Sequence, residues 1–300
     1  MRKDRKTKIR LTAGDRAFYI TVYIVSILSL IIFAYPLLYV LVSSVSGGVM
    51  MTGLSLIPKQ VTWEGYKAVF EHDMVLSGYK NSLIYMVAGT ALAMVVTILC
   101  AYPLSRSDFK RRKIFMALCL FTMYFEGGLI PTYLAIRSLG MLDTVWALIL
   151  PVSLSVYNMI VMRTYFSNQI PDEMREAAQI DGCGDWRFLL RIVIPLSGPI
   201  LAVICLYYAV SLWNRYFDAM IYIKTRSKLP LANILRELLI LALTPELERG
   251  MSPETLALME KRAEVMKYSL IVVSSLPMMI LYPFIQKYFV KGVMIGAVKG

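Results

Sequence analysis

An all-α integral membrane protein with six transmembrane helices is the fold class this sequence predicts, and three observations predict it. Hydrophobic residues make up 58% of the 300 positions, charged residues only 17%, and mean hydropathy is +0.61; soluble domains carry about a quarter charged residues. Apolar runs of about 20 residues, each long enough to cross a ~30 Å hydrocarbon core, recur along the chain. Between the fourth and fifth of these stands a polar, helix-patterned stretch, EAAQIDGCGDWRFLLRIVIP, Glu176 to Pro195.

Taken in order, the spans are expected over 19–42, 82–101, 114–133, 145–162, 192–213 and 266–288. The first has the basic tail of a signal peptide, residues 1–18, but its core of about 24 residues exceeds the usual ~7–15, so it reads as a retained anchor. One membrane domain, 19–290, follows, with a C-terminal tail over 291–300. The stretch LPLANILRELLILAL is about 15 residues long and holds Arg236 and Glu237 in its middle, too short and too charged for a seventh span. It belongs to a long external loop, 214–265.

Charge orients the spans, because Lys and Arg beside span ends stay on the cytoplasmic side. Arg2, Lys3, Arg5, Lys6, Lys8, Arg10 and Arg16 precede the first span, and Arg106, Lys110, Arg111, Arg112 and Lys113 fill the second connection. Arg163, Arg175, Arg187 and Arg191 belong to the fourth connection, and Lys287, Lys291 and Lys299 lie in the C-terminal part. Both termini and the Glu176 stretch are therefore expected in the cytoplasm. The net charge of +12 is accounted for by this placement, so nucleic acid is not an expected partner; the lipid bilayer is. His72 is the single histidine and has no second His or Cys at ligand spacing, which predicts a solvated residue and no metal site.

The polar region 171–191 reads as helix, turn, helix. Pro171, Asp172 and Glu173 suit a helix start, since proline fits the first turn and carboxylates favour the positive end of the helix dipole. The helix should run to about Asp181, with Met174, Ala177, Ala178 and Ile180 as an apolar stripe. Gly182 is a left-handed stop, and Asp185 caps a second short helix leading to the fifth span. Pro195 and Pro199 would shape that span. One use of such an element is to lie on lipid; the other is to dock on a soluble partner, and small alanines with an early glutamate are poor lipid anchors.

Read as a spacing, Glu176-Ala177-Ala178, Gly182, Ile192, Ile194 and Pro195 resemble the cytoplasmic signature of ABC-importer permeases, with Ile194 where leucine is common. The likeness extends nearly end to end and is similar to the carbohydrate-uptake, maltose-permease-like branch: SLIPKQVTWEGYKAVF, KNSL, AYPLSRSDFKRRK and LGMLDTVWALILP carry it. FEGGLIPTYL and the terminal VKGVMIGAVKG resemble a sub-branch linked to polysaccharide breakdown products. The resemblance implies an ABC type I importer permease fold with a cytoplasmic coupling helix, in a bacterial cell membrane. It also implies a second homologous permease, two ATP-binding subunits and an external solute-binding protein delivering a carbohydrate. Glu176, Ala177, Ala178, Asp181, Gly182, Ile192 and Pro195 would form the ATPase-coupling set. No Gly-Lys dipeptide occurs, so a phosphate-cradling P-loop is missing; no enzyme activity or cofactor is expected in this chain, and ATP with magnesium would be held by the partners.

Candidates for the substrate path are Glu126, Asn214, Tyr216 and Asp218. Glu126 lies within the third expected span, well away from its ends and beside Gly127 and Gly128, where an ionised group costs at least ~2.5 kcal/mol at bilayer depth and so faces a cavity or a partner; a sugar-binding role and a structural hydrogen bond both fit. Trp213, Asn214, Tyr216 and Asp218 combine aromatic faces with amide and carboxylate groups, which suits sugars, while an interfacial aromatic belt would place the rings alike. The tail 291–300 suits either fraying or docking near the ATPases. Rival classes are an importer of peptides or polyamines and a secondary carrier; a carrier would show more intramembrane ionisable or helix-break sites.

Overall fold

A computed structural model describes residues 12–46, 61–243, 266–283 and 286, which contain helices and no strand. The tails 1–11 and 287–300, and most of the expected loop beyond Leu243, lie outside the described residues. Two compact units divide the chain, one reaching Val69 and including 266–272, the other running from Phe70 and resuming at Val273.

In the first unit α1, Ala13–Ser43, covers the first expected span and begins with a capping box: the Thr12 side chain accepts from the Asp15 amide and Asp15 returns a bond to Thr12. No residue of its most apolar window is buried. Beyond its end, the Ser44 hydroxyl meets the Tyr66 hydroxyl at 2.7 Å and the Ser44 carbonyl accepts from Ser269 at 3.1 Å. Tyr66 belongs to α2, Glu64–Glu71.

The second unit is built around α3, Asp73–Ser105, a 33-residue helix. His72 is its N-cap and is half-buried with its Nδ1 shielded from water, which corrects the expectation of a solvated residue. Next come α4, Arg112–Tyr124; α5, Leu129–Ser138; α6, Trp146–Ile149; and α7, Val156–Gln169. Then follow α8, Asp172–Ile180; α9, Asp185–Phe188; α10, Ile194–Leu196; α11, Gly198–Trp213; α12, Phe217–Tyr222; and α13, Leu231–Leu243. Finally α14, Met266–Pro283, falls within the sixth expected span.

Small residues let α3 approach its neighbours. A Cβ on Gly78 would overlap the Ile234 side chain of α13, and one on Gly89 would stand 2.7 Å from Leu212 of α11. Ala93, Ala101, Met159, Met162, Phe166, Val193 and Ile204 form the main buried cluster. Within the fold the Tyr208 hydroxyl accepts from the Ser155 amide at 3.0 Å and lies 2.7 Å from the Thr97 hydroxyl, so this polar group is satisfied twice.

Three of the expected spans are bent. Helices α4 and α5 meet at a 112° bend, the 146–152 segment and α7 at 48°, and the segment 185–196 and α11 at 83°. Among the described residues, three helices are continuous and apolar enough to cross a membrane, and up to six crossings result if each bent pair counts as one. Glycine causes the first bend: Gly128 sits at φ 82° and ψ −179°, a region essentially closed to other residues. A π-turn over Leu189–Val193, Pro195 and Pro199 precede or form the third. Leu231–Leu243 is a helix packed against α3 through Leu231 and Ile234.

Candidate functional site

The 171–191 region folds as the local sequence dictates. Pro171 is the N-cap of α8, with Asp172 and Glu173 in the first turn; these carboxylates face the partial positive charge of the helix start. Asp181 is the C-cap and Gly182 turns left-handed at φ 75°. The Cys183 amide reaches back to the Ala178 carbonyl at 2.8 Å and the Gly182 amide to Gln179 at 3.0 Å. This paired closure is a Schellman stop, and it satisfies two of the carbonyls a helix end leaves open. α9 then starts after Gly184, so Asp185 is its first residue and not its cap.

The faces of α8 differ from a simple apolar stripe. Ala178 is turned inward at 9% exposure into the cluster containing Phe188, Leu189 and Val193. Its small side chain brings α8 close to its own protein, so Ala178 is not on the free surface as expected. Glu173, Glu176 and Ala177 are exposed, and Ile180 is 87% exposed. Asp181 and Gly182 are exposed too; Ile192 is half-buried in the π-turn, and Pro195 is exposed just beyond it.

Four charged side chains that hydropathy reading passed over hold this element. Arg106, the residue after α3, grips Asp108 with two bonds, Nε to Oδ1 at 3.0 Å and Nη2 to Oδ2 at 2.8 Å. Its Nη1 donates to Asp185 at 2.7 Å and to the Tyr102 hydroxyl at 3.1 Å. Arg175 of α8 donates to Asp108 at 2.9 Å and lies 3.7 Å from Asp185. The guanidinium groups are mostly covered, whereas Asp108 and Asp185 are 50% and 61% exposed. Hydrogen bonds from Arg106, with the Arg175 charge beside it, pull the Asp108 carboxyl down to about 2. A carboxylate lowered in the fold contributes its stability above the ordinary value of 3.8 and loses it only as pH falls toward about 2. Asp108 is therefore ionised at physiological pH. Around it, Arg163 donates to the Leu104 carbonyl at 2.8 Å and Ser167 to the Ser105 carbonyl at 3.0 Å, capping the end of α3.

The four path candidates fall in two places, Glu126 in one and Asn214, Tyr216 and Asp218 around the α11–α12 junction in the other. Glu126 lies exposed in the break between α4 and α5. Asn214 ends α11, where its side-chain amide donates to the Val210 carbonyl at 2.9 Å. Tyr216 is exposed, and its carbonyl accepts from Asn233 at 3.0 Å. Asp218 pairs with Arg215 at 2.9 Å. Trp213 is 6% exposed, donates to the Ser274 carbonyl and meets Tyr79 edge-on; it is a packing residue and belongs to no aromatic belt. A further residue missed in the sequence is Asp143, at φ 58°. Its carboxylate accepts from the Lys224 and Thr225 amides, the Thr225 hydroxyl and Lys228. These bonds hold it well below the usual carboxylate range. An aspartate before a turn is the one local signal for it, since Asp tolerates the left-handed region.

Relatives are identified at this level of detail. The chain is 39% identical to LplC of Bacillus subtilis (strain 168) over 272 residues, 88% of this chain and 89% of that protein. It is 36% identical to the polygalacturonan/rhamnogalacturonan transport system permease protein YtcP of the same organism, over 95% and 99% of the two chains. The chain belongs to the carbohydrate-uptake family of ABC-transporter permeases. No protein-family model matches this permease. Its fold superimposes, at a TM-score of 0.82 and 30% identity, on a chain of a bacterial ABC transporter involved in the import of the acidic polysaccharide alginate. That match covers 94% of the permease and 100% of the solved chain.

Proposed function

We propose that this permease and a second homologous permease form the path for an oligosaccharide delivered by an external solute-binding protein. The outward face of α8 docks on a cytoplasmic ATP-hydrolysing subunit, whose closure tilts the membrane helices to give alternating access. The observation that carries this reading is the face itself: Glu176, Ala177 and Ile180 stand free of the fold, on a helix closed by a left-handed glycine and braced from behind by Arg106, Asp108, Arg175 and Asp185. A solvent-facing isoleucine at 87% exposure on an anchored polar helix suits a protein cleft. Ala177 fits against that cleft, Glu176 meets a basic or polar group of the partner, and Ala178 serves the internal packing of α8.

Substrate class follows the relatives, among them a polygalacturonan/rhamnogalacturonan permease and the alginate importer. Glu126, Asn214, Tyr216 and Asp218 are the residues of this chain proposed to line the path, offering hydroxyl-binding carboxylates and an amide. The test is site-directed cross-linking in the assembled importer in nanodiscs. An Ala177→Cys permease should cross-link to a cysteine in the ATPase cleft, and the importer should take up labelled oligosaccharides, but not peptides or polyamines, with ATP and binding protein. An intact complex with no cross-link from Ala177 or Glu176 overturns the docking face. Uptake of peptide or polyamine alone overturns the sugar class.

A further inference from the structure

α3 is unbroken over 33 residues, a length of about 50 Å at 1.5 Å per residue, and both of its ends are tied by side-chain bonds to other segments. At one end Arg106 reaches Asp185 of α9 at 2.7 Å, and Asp108 receives Arg175 of α8 at 2.9 Å. Two arginines share the same two carboxylates, so the α8–α9 turn is fixed to the end of α3 in direction as well as distance. The bidentate Arg106–Asp108 pair adds to that fixity, because the planar fork of a guanidinium allows one orientation.

At the opposite end, one face of α3 holds the segment 227–231. Asn81 donates to the Ser227 carbonyl at 2.7 Å and the Leu229 carbonyl at 3.1 Å, and the Tyr85 hydroxyl donates to the Lys228 carbonyl at 2.7 Å. The Ser82 hydroxyl accepts from the Leu231 amide at 2.8 Å. Gly78, Asn81, Ser82 and Tyr85 follow the spacing that places residues on one helix face, and Gly78 leaves room there for Leu231 and Ile234. The held segment is itself pinned to Asp143 through Lys228 at 3.0 Å.

We infer that α3 acts as a rod that transmits displacement of the docking turn to segment 227–231 on the other side of the membrane. Arg106, Asp108, Arg175 and Asp185 are positioning residues at the cytoplasmic end, and Asn81, Ser82 and Tyr85 are their counterparts at the external end. The inference rests on the docking role of α8 proposed above. A long hydrogen-bonded helix moves as a body, and what sits on its two ends moves with it. Partly exposed ion pairs contribute little to fold stability, so their arrangement has its main effect on how α8 is held.

The importer reconstituted with its second permease, ATPases and binding protein tests this directly. ATP hydrolysis is measured with and without loaded binding protein, for Arg106→Ala, for Asn81→Ala with Tyr85→Phe, and for all three together. Each end is expected to lower the binding-protein-stimulated increment about tenfold, within the common range for coupling between sites, while unstimulated hydrolysis and complex yield stay unchanged. Because the two ends act in series, the combined variant should be no worse than the weaker of the two. Arg106→Lys, which keeps the charge and loses the fork, should recover only part of the increment. Multiplicative losses in the combined variant, or stimulation within twofold of wild type at either end, overturn the rod. Should Arg106→Ala fail to assemble, Arg175→Gln takes its place under the same criteria. The Ala177→Cys cross-link reports separately on docking: a cross-link with no coupling loss refutes the rod alone, and its absence refutes the docking face.

Discussion

Gly182 holds φ 75°, and no atom lies within 4 Å of where its Cβ would stand. Its role is thus conformational, since an L side chain in that region costs ~1–2 kcal/mol and meets nothing else. Replacement separates the two possible demands on the position. Gly182→Val should reduce oligosaccharide uptake by about tenfold, because ~1.4 kcal/mol is a factor of ten in the population of the docking-ready turn. Gly182→Asn should stay within about threefold of wild type, as asparagine tolerates the left-handed region. Both should reach the membrane at normal abundance, and uptake corrected for immunoblotted permease is the measurement. Equal uptake for valine and glycine would remove the turn from the coupling element. The same scale shows what a sequence reader can and cannot see. Gly182 was legible because a helix signal stops at a glycine, whereas the Arg106–Asp185 bond joins positions 79 apart and leaves no periodic trace.

At the scale of elements, bends are what hydropathy hides. Residues 114–133 read as one span because composition counts apolar residues and is blind to backbone direction. The fold instead turns by 112° between α4 and α5, at Phe125-Glu126-Gly127-Gly128, where the glycine pair was visible but the angle was not. Conversely, Arg236 and Glu237 argue against a span at α13, of which 13 helical residues are described. The 13 residues of α4 rise about 20 Å from Arg112, so the break lies within the apolar layer. Backbone that leaves helical hydrogen bonding there survives only against protein or a water-filled cavity. Glu126, exposed at that break, should therefore meet water in the path. In a permease whose four native cysteines are replaced by serine, Glu126→Cys should react with a membrane-impermeant thiol reagent, with the rate changing at least threefold when loaded binding protein is added. A lipid-facing control, Ile31→Cys on α1, should remain unmodified. No modification at position 126 in any state of the cycle would assign Glu126 to contact with a partner helix and remove it from the path.

For the whole molecule, the number of crossings decides where the chain ends. Three continuous helices alone would put the termini on opposite sides, because an odd count reverses the chain; counting each bent pair as one span gives six and returns it. The basic residues favour the even count. Arg106, Lys110, Arg111, Arg112 and Lys113 lie between α3 and α4, and Arg175, Arg187 and Arg191 surround the proposed docking turn, so the charge rule predicts both segments on the same, cytoplasmic side. On that orientation a crossing by α4–α5 would put Asp143, which binds Lys224, Thr225 and Lys228, on the external side. Those partners come after α11, so for the contact to form the 146–169 and 185–213 pairs must either both cross or both not cross. The ion pair between Asp143 and Lys228 thus requires an even number of crossings between them. Reporter fusions in cells test the count. A fluorescent protein should fluoresce at either terminus, and alkaline phosphatase should be inactive when fused after Lys110 or Gly300 and active after Thr225. Phosphatase activity at Gly300 would mean an odd number of crossings, and activity at Lys110 would reverse the orientation and with it the cytoplasmic placement of α8.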